Sequence, residues 1–99
     1  MKYLLVNKLK PENVEQYSDA HRNCWPEMRQ ALTDSGAKNC TTFVMGNMAY
    51  LYYECDDLEK SFRMLGETET NKRWNDMCLP WFETTFELNC AEMVFDLNN

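Results

Sequence analysis

The sequence predicts an α+β fold in which an antiparallel sheet is covered by helices on one face. Three observations predict it. Short runs rich in β-branched and aromatic residues alternate with stretches whose apolar positions recur every three or four residues. Two of those runs, Thr41–Val44 and Met48–Cys55, are separated by a turn dipeptide, Gly46-Asn47, which favours an antiparallel hairpin. The elements also follow the order strand, helix, strand, strand, helix, strand, which is the split βαβ, or ferredoxin-like (βαββαβ), plan.

Each element has its own signal. Tyr3-Leu4-Leu5-Val6 starts a strand that runs to about Leu9, and Lys10-Pro11 stops it. Pro11-Glu12-Asn13 then opens a helix, since proline fits a first turn and a carboxylate there suits the helix dipole. Val14, Tyr17, His21, Cys24, Trp25, Met28, Ala31 and Leu32 form its apolar stripe. Pro26 kinks that stretch or divides it in two. Ser35-Gly36 ends it with a glycine stop. The hairpin strands follow, from Lys38 onward. Asp56-Asp57 caps a helix over Leu58–Leu65, Gly66 breaks it, and a further helix is expected from Thr70 to Cys78 before Pro80. A closing strand is expected over Ala91–Leu97.

Ninety-nine residues fit a single domain spanning 1–99. So short a chain buries a modest share of its surface and gains from pairing with a copy of itself, which would also cover the second sheet face. The net charge of −6 and ten scattered Lys and Arg exclude nucleic acid as a partner, because phosphate binding needs clustered cations. Lys2, Lys8 and Lys10 are the nearest approach to a cluster and fall on or beside a strand. Five cysteines without a CxxC pair read as free thiols in a reducing compartment. The apolar run near the N-terminus is too short for a signal-peptide core or a membrane span, so a cytoplasmic protein without membrane contact is expected.

His21 is the only histidine, and Tyr17 lies one helical turn before it on the same face. Histidine takes and gives a proton near neutrality, and a tyrosine hydroxyl can orient or relay one. Together, facing an aromatic-lined cavity, they would form a general acid–base unit. By itself the pair is weak evidence, for a lone histidine on an apolar helix face is more often a hydrogen-bonded core residue. Trp25 and Trp74, at helical spacing, are usually core residues, yet an indole face also stacks on the C–H side of a sugar ring, and spacing alone does not separate the two. Arg73 could reach a ligand oxygen, but an arginine at a helix surface is usually solvated. One histidine and unpatterned cysteines and acids give no metal set, and three isolated glycines give no phosphate loop, so neither metal nor cofactor is expected.

Tyr17-x-x-x-His21, then Trp25-Pro26-Glu27, then Ser35-Gly36-Ala37-Lys38-Asn39 resembles the L-rhamnose mutarotase family. The resemblance continues through Lys72-Arg73-Trp74 into Ala91–Leu97 and covers essentially the whole chain. It implies a homodimer of the dimeric α/β-barrel type, joined through its sheets, that interconverts the α and β anomers of a free sugar without a cofactor. It also implies that His21 is the proton donor, that Tyr17 contacts substrate, and that Trp74 is the first of two adjacent tryptophans lining the sugar site. Two positions depart from the pattern. Asn75 stands for the second tryptophan, and Cys40 for a sugar-contacting tyrosine; both substitutions bear on which sugar is taken. Trp81 is a candidate to refill the lost volume. Two other readings remain at this point. One is a dimeric α/β-barrel monooxygenase or isomerase acting on a hydrophobic ring, and the other a non-catalytic small-molecule-binding dimer.

Overall fold

A computed structural model describes residues 1–83 and 90–98. Strand β1 (Lys2–Lys8) leads through a 3₁₀ turn at Pro11–Asn13 into α1 (Val14–Arg22) and α2 (Pro26–Asp34). Strands β2 (Asn39–Met45) and β3 (Met48–Glu54) follow, then α3 (Leu58–Gly66), α4 (Glu69–Cys78), a 3₁₀ turn at Leu79–Trp81, and β4 (Cys90–Ala91). The sheet order is β2-β3-β1-β4 and every pairing is antiparallel. This is the ferredoxin-like arrangement expected.

Local chemistry accounts for the boundaries. Pro26 does divide the first helical stretch: Trp25 is extended at φ −58°, ψ 138°, the conformation favoured before proline, and Pro26 then opens α2 at its first position. At the far end Gly36 has φ +97°, and the Ala37 N–H reaches back to the Leu32 carbonyl at 3.1 Å. In the hairpin Met45 pairs with Met48, leaving a two-residue loop. Gly46 alone has a positive φ, +60°, which fits a II′ turn. Asp57 caps α3 by accepting the Lys60 N–H at 3.1 Å, and Thr68, which the sequence pattern did not single out, caps α4 through Asn71 N–H at 3.1 Å.

Strand alternation gives the sheet two unlike faces. Leu5, Ala49 and Tyr53 are buried beneath the helices, and Asn7, Cys40, Thr42, Val44 and Leu51 share that side by register. The opposite side carries Leu4, Val6, Phe43, Met45, Tyr50 and Tyr52, and no described helix covers it; Phe43 is 59 % and Met45 72 % exposed. The chain end adds Val94 and Phe95, which are 85 % and 78 % exposed.

The closing strand is shorter than Ala91–Leu97. Among the described residues of this strand only Cys90 and Ala91 pair, with Leu5 and Leu4. Pairing stops there although β1 continues to Lys2, which the same register would set against Met93. Beyond the last pair, Asp96 meets Lys2 through an ion pair at 3.1 Å.

Candidate active site

Helix α1 places the acid–base candidates. Tyr17 and His21 lie one turn apart, with ring centroids 4.1 Å from each other. His21 Nδ1 is 2.8 Å from the carbonyl oxygen of Tyr17. A carbonyl only accepts, so Nδ1 carries the hydrogen and Nε2 is left as the free lone pair of the neutral ring. Burial holds the His21 pKa below the ordinary histidine value of 6.5, while the bond to the Tyr17 carbonyl opposes that shift. The ring is therefore neutral at pH 7 and ready to take a proton at Nε2.

Tyr17 is buried, and desolvation raises its pKa well above the usual tyrosine range. Its hydroxyl stays protonated and has no protein partner among the described residues. Phe82 meets the Tyr17 ring edge-on at 5.9 Å, and Trp74 meets His21 edge-on at 5.2 Å. The pair is thus clamped between aromatic groups from two other parts of the chain.

These side chains face a cavity of about 720 Å³ between the sheet and the helices. Five of the residues singled out from the sequence, Tyr17, His21, Cys40, Trp74 and Asn75, line it. Cys40 comes from β2 and keeps solvent contact, yet protein surrounds the thiol closely enough to push its pKa up to about 11 by desolvation. Cys78 lines the same space and is pushed up to about 12, and Cys24 is raised as well, again through burial. At neutral pH these are uncharged S–H groups, not thiolate nucleophiles.

Three aromatic or basic candidates lie elsewhere. Trp25 does not line the cavity; it stands behind Trp74 at 5.2 Å, edge-on, with the Arg73 guanidinium 5.2 Å over its own ring. Arg73 is thereby a partner of Trp25 and not a cavity group. Trp81 packs against the core cluster without reaching the cavity, so it does not refill the volume beside Asn75. Among the described residues three lining amides complete the polar wall, and two of them, Asn7 and Asn71, are not marked by the sequence pattern read above. A signal was present: Asn7 sits between Leu5 and Leu9 on a strand face that is otherwise apolar, and Asn71 lies one turn before Asn75.

The comparisons decide the family. The model for "L-rhamnose mutarotase" matches residues 2–97. The chain belongs to the L-rhamnose mutarotase family. Its members are isomerases acting on carbohydrates, and this chain is one of them. The L-rhamnose mutarotase of Bacillus subtilis is 31 % identical over 80 residues, covering 79 % of this chain and 76 % of that protein. The L-rhamnose mutarotase of Lactiplantibacillus plantarum is 31 % identical over 81 residues, covering 80 % and 77 %. In three dimensions the chain is similar to an L-rhamnose mutarotase from Formosa agariphila, at TM-score 0.77 and 21 % identity with 98 % of each chain covered. Tetracenomycin F2 cyclase from Streptomyces glaucescens aligns at TM-score 0.71 and 15 % identity, covering 97 % of this chain and 95 % of that one. At such identities the likeness speaks for the fold alone, and one fold hosts several chemistries. No described helix is long and apolar enough to cross a membrane.

Proposed function

We propose that the chain interconverts the α and β anomers of L-rhamnose or a related free monosaccharide, with His21 as the proton-transfer group and Tyr17 as its hydrogen-bonding partner. The observation that carries the reading is the bond from His21 Nδ1 to the Tyr17 carbonyl, at 2.8 Å, which frees Nε2 on the wall of the cavity.

The chemistry follows from the two protonation states. Neutral His21 takes the proton of the C1 hydroxyl at Nε2 while the bond from C1 to the ring oxygen breaks and the C1 carbonyl forms. The imidazolium gives that proton to the ring oxygen, which the Tyr17 hydroxyl holds by donating a hydrogen bond. Tyr17 keeps its own proton, as its raised pKa requires. Rotation about the C1–C2 bond and the reverse transfer close the ring on the other face. Positioned acid–base catalysis of this kind is worth about 10²–10⁴-fold. Trp74 forms an apolar wall for the C–H side of the ring, while Asn75 and Cys40 select which sugar is held.

The working form in this reading is a cytoplasmic homodimer. Its support is the uncovered sheet face, where Phe43, Met45 and the chain-end residues Val94 and Phe95 expose more apolar surface than scattered single residues would.

Polarimetry on freshly dissolved α-anomer tests the function. The wild type should speed the approach to equilibrium rotation, His21→Ala should lose about 10²-fold or more of that catalysis, and Tyr17→Phe should retain part of it. Full activity in His21→Ala would remove His21 from the mechanism. Sugar binding without faster exchange would make the protein a non-catalytic binder.

A further inference from the structure

We propose that Asn71 is a specificity-determining residue of the cavity, its side-chain amide binding one hydroxyl of a neutral sugar. The inference rests on the carbohydrate reading for its ligand class, and on the following geometry for the residue.

Asn71 is only 8 % exposed and lines the cavity from α4. Its backbone N–H is taken by Thr68 Oγ1 at 3.1 Å, but its side-chain amide has no protein partner among the described residues. Among the described residues no side-chain nitrogen or oxygen is sealed off without a partner, so the two donors and the acceptor of this amide stay open to whatever fills the cavity. Packing alone would select leucine or methionine here, since both are better helix formers and Trp74 and Cys78 follow on the same face. An unpartnered amide is consistent when a ligand completes it. Asn75 stands one turn further along the same helix, and Asn7 reaches the same cavity from β1.

The cavity's own chemistry fits a neutral ligand. Its inner polar groups are amides, hydroxyls and protonated thiols, with the neutral His21 ring. Arg22 and Arg29 lie at the exposed rim, and Arg22 is already engaged by Asp19 at 2.8 Å and Glu15 at 3.5 Å. Phosphate or carboxylate substituents on the sugar would find no buried cation among the described residues, whereas a hydroxyl finds both a donor and an acceptor in one amide.

The test uses Asn71→Leu, which is close in size, with Asn71→Ala as a second variant. Binding of L-rhamnose and its monodeoxy derivatives is measured by titration calorimetry, alongside the melting temperature without ligand. Asn71→Leu should melt no lower than the wild type, because the amide gives up no protein hydrogen bond among the described residues and leucine is the better helix former. Both variants should bind L-rhamnose about 3- to 10-fold more weakly, the worth of one hydrogen bond. For one monodeoxy derivative, lacking the hydroxyl that Asn71 holds, wild type and variants should bind alike. An equal loss with every derivative, or no loss with any, would overturn the proposal, as would a wild type that binds no monosaccharide. Tight binding without faster anomer exchange would retract catalysis and leave the role of Asn71 standing.

Discussion

Beneath the cavity Tyr53 and Ser61 make a buried pair whose energetics can be worked out. Tyr53 is 0 % and Ser61 3 % exposed, and their oxygens are 2.6 Å apart. Phe62 stacks on Tyr53 at 4.8 Å, so the ring is held in place independently of its hydroxyl. Tyr53→Phe removes one hydroxyl and strands that of Ser61; Ser61→Ala does the reverse. Each single change should cost about 1–3 kcal/mol, the penalty for leaving a buried polar group unmatched. The double variant strands nothing and loses only the net worth of the bond, about 0.5–1.5 kcal/mol. It should therefore be no less stable than either single variant, with a coupling of about 1 kcal/mol or more. Urea unfolding of the four proteins with a shared m-value is the assay. Additive single effects, or singles within about 0.5 kcal/mol of wild type, would refute the reasoning. In that case each hydroxyl finds another partner, such as a helix carbonyl for Ser61.

Other outcomes follow from single contacts. Asp57→Ala removes the cap on α3 and should cost about 0.5–2 kcal/mol in the same urea assay. Phe43→Asp, on the uncovered sheet face, should yield a monomer in analytical ultracentrifugation where the wild type sediments as a dimer. Acid should destabilise the fold through His21. Its folded pKa lies below the unfolded value of 6.5, so the unfolded chain binds the proton first. This contribution is complete above about pH 6.5 and is lost as pH falls toward the folded pKa; His21→Gln should flatten that part of the stability profile, read by thermal melts.

Much of the architecture was legible because local chemistry and global fold agree. Pro26 marks the junction of α1 and α2, Gly46-Asn47 marks the hairpin, and Asp57 marks the start of α3. The closing strand is shorter than its composition suggests: Met93-Val94-Phe95 has strand composition, but the chain leaves β1 after Ala91, and composition does not report where two strands part. At the site, helical spacing and family resemblance together pointed to Tyr17, His21, Trp74, Asn75 and Cys40, and these do converge on one cavity. The tryptophans were harder. Trp25 and Trp81 are as aromatic as Trp74, and only packing reveals that Trp25 turns toward Arg73 and that Trp81 faces the core. Asn71 was passed over because an asparagine in a helix ordinarily reads as solvated, and its burial emerges only when α4 docks beside α2 and α3.

The central claim, that neutral His21 moves the proton, is tested most directly by NMR saturation transfer between the anomers of L-rhamnose across pH 4–8. The account predicts acceleration by the wild type that fades as pH falls through a midpoint below 6.5, and none with His21→Ala. Undiminished exchange in His21→Ala, or wild-type acceleration that grows as the imidazole becomes protonated, would contradict it.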